Sequence, residues 1–383
     1  MFVPITNTPR NYGWGSTTAI SELLGRDPSG EPEAELWLGA HPGSPAVIVG
    51  DRGPATDLAA WIEADPRAAL GSSTRLPFLL KVLAAKSALS LQAHPTTGQA
   101  AAGFARENAL GIPVDAAQRN YRDPYAKPEV LYALSPTVDA LCGFRPLQDT
   151  RELFENLGLA DLVPEWDSIA GVFAWLLSGE PGVSKLVERA VTVGGGTDEP
   201  QNDIARDTIR RLAAEHPGDP GIVGALLLNR VRLRAGEALF LPAGNIHAYL
   251  HGVGIELMEA SDNVLRGGLT SKHIDVPELL DVLDFTPQPV PYLPAEPVAP
   301  GVDAFRPAGC GFQLVHLSGN AQRPLNAQWL LDGPAIVLCT SGEFTLDSAS
   351  TVHVSRGDAV YITPDERELT VRGAGTLFLA TTA

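Results

Sequence analysis

The stretch Gly236-Glu237-Ala238-Leu239-Phe240-Leu241-Pro242-Ala243-Gly244-Asn245-Ile246-His247 reads as a strand, a tight turn and the start of a second strand. Pro242 cannot continue a central ladder and Gly244 tolerates a turn conformation, so the chain reverses between them. The spacing puts His247 at the head of the second strand, facing inward. Two readings of it follow: a satisfied core histidine, or a metal ligand.

The pattern around this stretch agrees with a β core. A period of two begins near Arg230 (Val231, Leu233) and runs to about Glu259. Asp275 to Asp284 reads as a short helix with Val276-Pro277 at its start. Six prolines between Thr286 and Gly301 predict an extended, semi-rigid linker. Residues 302–383 are short β-rich runs with turns at Ser341-Gly342, Arg356-Gly357 and Gly373-Ala374-Gly375, which predicts a sandwich or jelly roll. Upstream, residues 1–50 read as strands and turns, and Asp57 to Leu70 as helical after an Asp57 cap. The apolar run Leu76–Leu91 ends as a strand entering a loop at Pro95. Residues from Leu153 to about Leu228 change to helical spacing, with Ile204, Ile209 and Leu212 on one face. Gly194-Gly195-Gly196 reads as a loop there; no Gly-Lys-Ser/Thr follows, so it is not a phosphate loop.

Composition bounds the function. A chain of 383 residues suggests two or three domains at about 150 residues each. With 44% hydrophobic and 19% charged residues it is a globular chain, not a disordered one. Apolar runs such as Ile169–Leu177 fall far short of the roughly twenty residues of a membrane span. The start Met1-Phe2-Val3-Pro4 carries no basic segment ahead of an apolar one, so no secretory signal is expected. Cys142, Cys310 and Cys339 are few, odd in number and far apart, which predicts free thiols in a reducing, cytoplasmic setting. A net charge of −17 argues against nucleic acid and anionic membrane as partners. Only five of the 28 basic residues are lysines: Lys81, Lys86, Lys127, Lys185 and Lys272. Either this is compositional bias, or some sites need a compact ammonium that a guanidinium cannot replace.

Further segments carry candidate chemistry. On a strand Ser90, Gln92 and His94 share one face. Glu129, in Lys127-Pro128-Glu129, sits where a loop enters the apolar run Val130–Leu134. Glu256 to Lys272 packs carboxylates, an amide, Arg266 and Lys272 around Gly267-Gly268, which suits close approach of an anionic ligand. Gln92, His94, Glu129 and His247 form an O/N donor set without thiolate, suited to Zn²⁺ in an open site, or to Mn²⁺, Fe²⁺ or Co²⁺.

The spacing around His247 resembles the second conserved motif of the cupin superfamily, whose usual polar residue four positions on is His251 here. Taken together the segments are similar to the type I mannose-6-phosphate isomerase (phosphomannose isomerase) family over nearly the whole chain. The resemblance rests on Asn11–Ser16, Ala34–Pro42, Pro77–Leu83, Leu89–Pro95, Lys127-Pro128-Glu129, Gly244–Tyr249 and Ser261–Arg266. Four of the five lysines lie in or beside these motifs. It implies a zinc-dependent interconversion of mannose 6-phosphate and fructose 6-phosphate, one zinc per chain, a phosphosugar as the partner, and a monomer. It carries the metal ligands onto Gln92, His94, Glu129 and His247, and the catalytic residues onto Arg266, Glu256 and Lys127. Ser90 and Lys272 fall on substrate-lining positions. The implied fold is mainly β with a helical insertion: a cupin-like jelly-roll catalytic core from 1–150 and 229–285, a helical insertion at 151–228, the linker 286–301, and a second cupin-like β domain at 302–383.

Two departures matter. Tyr125-Ala126 stand where the family often has Asn-His, and Thr96-Thr97 where it often has Asp-Lys after His-Pro. Neither touches an expected metal ligand. The C-terminal region echoes the cupin spacing at Gly357–Pro364 without a following histidine, and His316 and His353 lack partners at metal spacing, so that domain is expected to be structural and metal-free. A cupin-type isomerase or epimerase of another phosphosugar, and a non-catalytic sugar-sensing cupin, remain as other readings. The general base is open between Glu256 and Lys127.

Overall fold

The computed structural model describes residues 1–50, 54–196 and 204–383, folded as two ten-stranded antiparallel sheets with a helical layer. The first sheet is organised by one strand, His247–Met258. Its first half pairs with Leu91–Ala93 and Thr137–Phe144, and its second half with Leu79–Ala85 and Glu129–Ala133. The change of neighbours happens at Gly252, whose φ of +121° and lack of a Cβ let the backbone turn. A Cβ there would lie 2.7 Å from the Thr137 carbonyl oxygen.

Alternation along this strand sorts its side chains. Ala248 and Leu250 face the helices, in one apolar cluster with Leu91, Ala93, Phe173 and Ile222. Ile255 and Leu257 face the second sheet, in a cluster with Phe305, Phe312, Ile336 and Phe378. His247, Tyr249, Glu256 and Met258 are left to point the other way, into the interior of the first sheet.

The second sheet runs from Glu296–Ala299 through Phe312–Gly319, Glu368–Thr382 and Ala335–Asp347 to Ala359–Ile362. Its next strand is Phe2–Thr6, with Phe2 opposite Ile362 and Ile5 opposite Ala359. The first strand of the chain therefore pairs into this second sheet. Tyr132 joins the two sheets, its ring 5.3 Å from Phe305 and 5.0 Å from Phe378. His316 packs in the same seam, 5.5 Å from Tyr132. The proline-rich segment is extended, as its composition predicts, and it is also sewn in. Tyr292–Leu293 pairs with Ala238–Leu239 of the first sheet and Glu296–Ala299 with the strand Val302–Phe305 of the second.

Helices occupy Leu147–Asn156, Ile169–Leu176, Pro181–Gly194, Ile204–Glu215 and Gly221–Gly224. The helix Pro181–Gly194 includes the first glycine of the expected loop. A Cβ on Gly194 would meet Ile209 at 2.6 Å, so close helix packing explains it. The Asp57 cap is present, accepting from Ala60 N at 2.9 Å, but Pro66 starts a second helix after Ala64.

Asp139 ties the insertion to the sheet. Its carboxylate meets Arg232 at 2.8 Å and Arg230 at 3.1 Å on the paired strand, and Arg211 of the helix at 3.7 Å. Burial works to raise its pKa, but the arginines outweigh this and hold it below the ordinary aspartate value. A depressed carboxylate contributes stability above its unfolded pKa, near 3.9, and loses it as pH falls through the folded value. Asp139→Asn should cost about 2 kcal/mol at pH 7, with the exposed Arg232 moderating the buried-pair figure. In urea titrations the gap from the wild type should close below about pH 4; a gap independent of pH would refute the assignment.

Candidate active site

Antiparallel register brings the candidate residues together. Gln92 is directly opposite both His247 and Arg266 on its two neighbouring strands. Glu129 is opposite Met258, and Glu256 is opposite Lys81, which is in turn opposite Trp37. Residues far apart in sequence thus become neighbours on one face.

At the floor, both imidazoles are oriented from behind. His94 Nδ1 lies 2.7 Å from the Asn263 carbonyl and His247 Nδ1 2.9 Å from the Asn245 carbonyl. A carbonyl can only accept, so each Nδ1 carries the proton and each Nε2 turns a lone pair inward. His94 Nε2 is 3.2 Å from one Glu129 oxygen, and His247 Nε2 is 3.4 Å from the other. The Gln92 amide lies 3.3 Å from His247 Nε2, and Lys127 Nζ 3.0 Å from Glu129. Burial pushes the His94 pKa down to about 4, with Lys127 adding to it, so the ring is neutral at pH 7. Burial would raise Glu129, but Lys127 and His94 hold it well below the usual carboxylate range. His94 Nε2 and Glu129 Oε2 are buried with no hydrogen-bond partner. Donor atoms of His94, Glu129 and His247 lie within 4.8 Å of one another. Two lone-pair nitrogens and a carboxylate oxygen converging on one dry point, with an amide beside them, fit a divalent metal.

Above this floor opens a cleft of about 890 Å³, lined by Ser90, Gln92, Lys127, Glu129, Glu256, Arg266 and Lys272 among others. One wall is a charged relay that the sequence reading did not assign. Lys81 Nζ lies 3.0 Å from Glu256 and 3.6 Å from Glu35, and 4.9 Å over the Trp37 ring. Trp37 Nε1 donates to Glu35 at 2.9 Å. Burial works to lower the Lys81 pKa, but Glu256 and Glu35 reverse this and hold it above the ordinary lysine value. Burial raises Glu256; Lys81 opposes that, and Glu129 and Glu35 add to it.

The nine expected site residues all lie at this floor or cleft. Lys127 stands against the Glu129 carboxylate. His251 points away: the register shifts between Tyr249 and His251, and His251 is exposed. Tyr249 faces inward instead, its ring 6.0 Å from His247. Alternation from His247 was the available signal for Tyr249, and the scarcity of lysine was the signal for Lys81. Arg122 lines the cleft and Asn263 is fully buried beneath it; the sequence marked Asn263 only as the amide of the Ser261–Arg266 segment and gave Arg122 no role. At the departures, Thr96 caps the helix Thr97–Ala109 in a reciprocal box with Gln99, and Tyr125 lies under Arg75 at 3.8 Å.

A β layer that turns imidazoles and a carboxylate inward around one point, beneath an open cleft, defines a cupin-like metal-binding fold. The model of the phosphomannose isomerase type I catalytic domain matches residues 2–147. The mannose-6-phosphate isomerase of Escherichia coli K12 is 38% identical, covering 97% of both chains. That of Bos taurus is 31% identical over 95% of this chain and 93% of its own. Among solved structures, a lysine-to-alanine variant of phosphomannose isomerase from Salmonella typhimurium superposes with a TM-score of 0.89 at 34% identity, covering 100% of this chain and 99% of that one. A zinc-bound mannose 6-phosphate isomerase gives 0.87 at 34% identity, with the same coverage. The chain belongs to the type I mannose-6-phosphate isomerase family.

Lys81→Met would leave Glu256 and Glu35 buried without their cation. It should destabilise the protein by about 3–5 kcal/mol in chemical denaturation. Adding Glu256→Leu should recover much of the loss; a fully additive double variant would show that the pair is not coupled.

Proposed function

We propose that this protein interconverts D-mannose 6-phosphate and D-fructose 6-phosphate, with one zinc held by Gln92, His94, Glu129 and His247. The observation that carries the reading is the buried His94–Glu129–His247 set opening onto a cleft that also holds Glu256 and Arg266. We further read the protein as a cytoplasmic monomer, in keeping with its free cysteines and a site built from a single chain. Among the described residues no helix is long and apolar enough to cross a membrane.

The reaction must open the sugar ring, remove a proton from C2 and return one to C1, through an enediolate with charge on O1 and O2. A zinc held by these residues would supply Lewis-acid polarisation of the substrate oxygens. Glu256 takes the C2 proton. Its raised pKa brings it closer to the working pH of a general base, and Lys81 keeps its ionised form available. Lys127 holds Glu129 ionised from the side. The Arg266 guanidinium, opposite Gln92 in register, stabilises the charge that develops on O1 and O2. Ser90 meets the substrate hydroxyls and Lys272 the phosphate.

A coupled assay with mannose 6-phosphate should show turnover that a chelator abolishes and zinc restores. His247→Ala should lose stoichiometric zinc by metal analysis; retained zinc with full activity would overturn the ligand assignment. Arg266→Ala should lower kcat by roughly 10²–10³, about 3–4 kcal/mol, whereas Lys272→Ala should act mainly on KM. If Arg266→Ala only raises KM, Arg266 binds and does not stabilise the transition state.

A further inference from the structure

Half of the lysines and arginines of the cleft are already spent. Lys81 is paired with Glu256 and Glu35, Lys127 with Glu129, and Arg119 with Glu107 at 2.9 Å. Arg122, Arg266 and Lys272 differ. All three line the cleft, and among the described residues none of their side chains makes an ion pair or hydrogen bond. In a chain with 45 carboxylates, three cations left together without a counter-charge are costly unless an anion fills the gap. Burial and the charge of Arg122 lower the Arg266 pKa, and burial, Arg266 and Arg122 lower that of Lys272.

The three are held by built contacts, not by loose loops. Asn263 Oδ1 accepts from Arg122 N at 2.7 Å, and its Nδ2 donates to the carbonyls of Asp123 and Tyr125, each at 2.8 Å. Arg266 lies three residues further along the same segment. The Asn263 carbonyl is also the acceptor for His94 Nδ1. One buried asparagine thus sets the spacing between the metal floor and Arg122. Opposite, Asp219 accepts from Thr270 N at 3.2 Å, and Thr270 Oγ1 accepts from Lys272 N at 3.1 Å.

We propose that Arg122 is a specificity-determining residue that grips the substrate's phosphate together with Lys272, leaving Arg266 to the reacting end. The inference rests on the reading of the substrate as a sugar phosphate. A phosphate monoester carries close to two negative charges at pH 7, and a guanidinium fork matches two of its oxygens. Arg122 is exposed at the cleft mouth, so replacing it removes the fork without opening the core.

The test uses the zinc-loaded enzyme with Arg122→Ala and Arg122→Lys, and inorganic phosphate as the probe. Arg122→Ala should raise both KM for mannose 6-phosphate and Ki for inorganic phosphate by roughly tenfold or more, the scale of one charge-assisted bond. Arg122→Lys should recover part of each. KM and Ki both within twofold of the wild type would overturn the proposal. Phosphate binding by calorimetry separates the two readings. Weakened binding in Arg122→Ala, in an enzyme that does not turn over mannose 6-phosphate, would support the grip and sink the reaction. Normal turnover with unchanged phosphate binding would sink the grip alone.

Discussion

The carboxylate of Glu129 is the constraint on which the site depends. It is 1% exposed and stands between two imidazoles and an ammonium. Burying such a charge without compensation is prohibitive, so every strand that reaches it must bring a partner. The strand Leu91–Ala93 delivers His94 at its end, and His247–Met258 delivers His247 at its start. Lys127 arrives two residues before Glu129 itself. One Glu129 oxygen and one His94 nitrogen remain unpaired. That unmet demand marks the place for a cation.

The hub strand resolves competing demands by alternation. One set of its side chains fills the cores against the helices and the second sheet, and the other set carries the chemistry. The turn at Gly252 lets a single strand serve two sets of neighbours, so that His247 and Glu256 face one cleft across nine residues of chain. The second sheet contributes no side chain to that cleft. Its role is to cover Ile255, Leu257 and Tyr132.

The cleft also shows how a strongly acidic protein keeps an anion site. Lys81 and Lys127 neutralise carboxylates that would repel substrate, and they are almost fully buried. Arg122, Arg266 and Lys272 carry no such duty and remain available at the mouth. A buried asparagine and an aspartate from the helical insertion hold their backbones, so positioning is done by neutral or remote groups that do not quench the charge.

What the sequence by itself determined was local and periodic. The turn at Pro242–Gly244, the inward histidine, the shared face of Ser90, Gln92 and His94, and the change to helical spacing all follow from side-chain period and turn chemistry, which act within a few residues. The motifs and their order were enough to point to the family. Tertiary structure decided what depends on register between distant strands. Only pairing shows that Phe2–Thr6 joins the C-terminal sheet, that Lys81 lies opposite Glu256, and that a bulge turns His251 outward while Tyr249 faces in. The roles of Arg122 and Asn263 were illegible for the same reason. An arginine without a partner and an asparagine saturated with backbone bonds look alike in sequence to any surface pair, and only the folded chain shows which charges remain uncompensated.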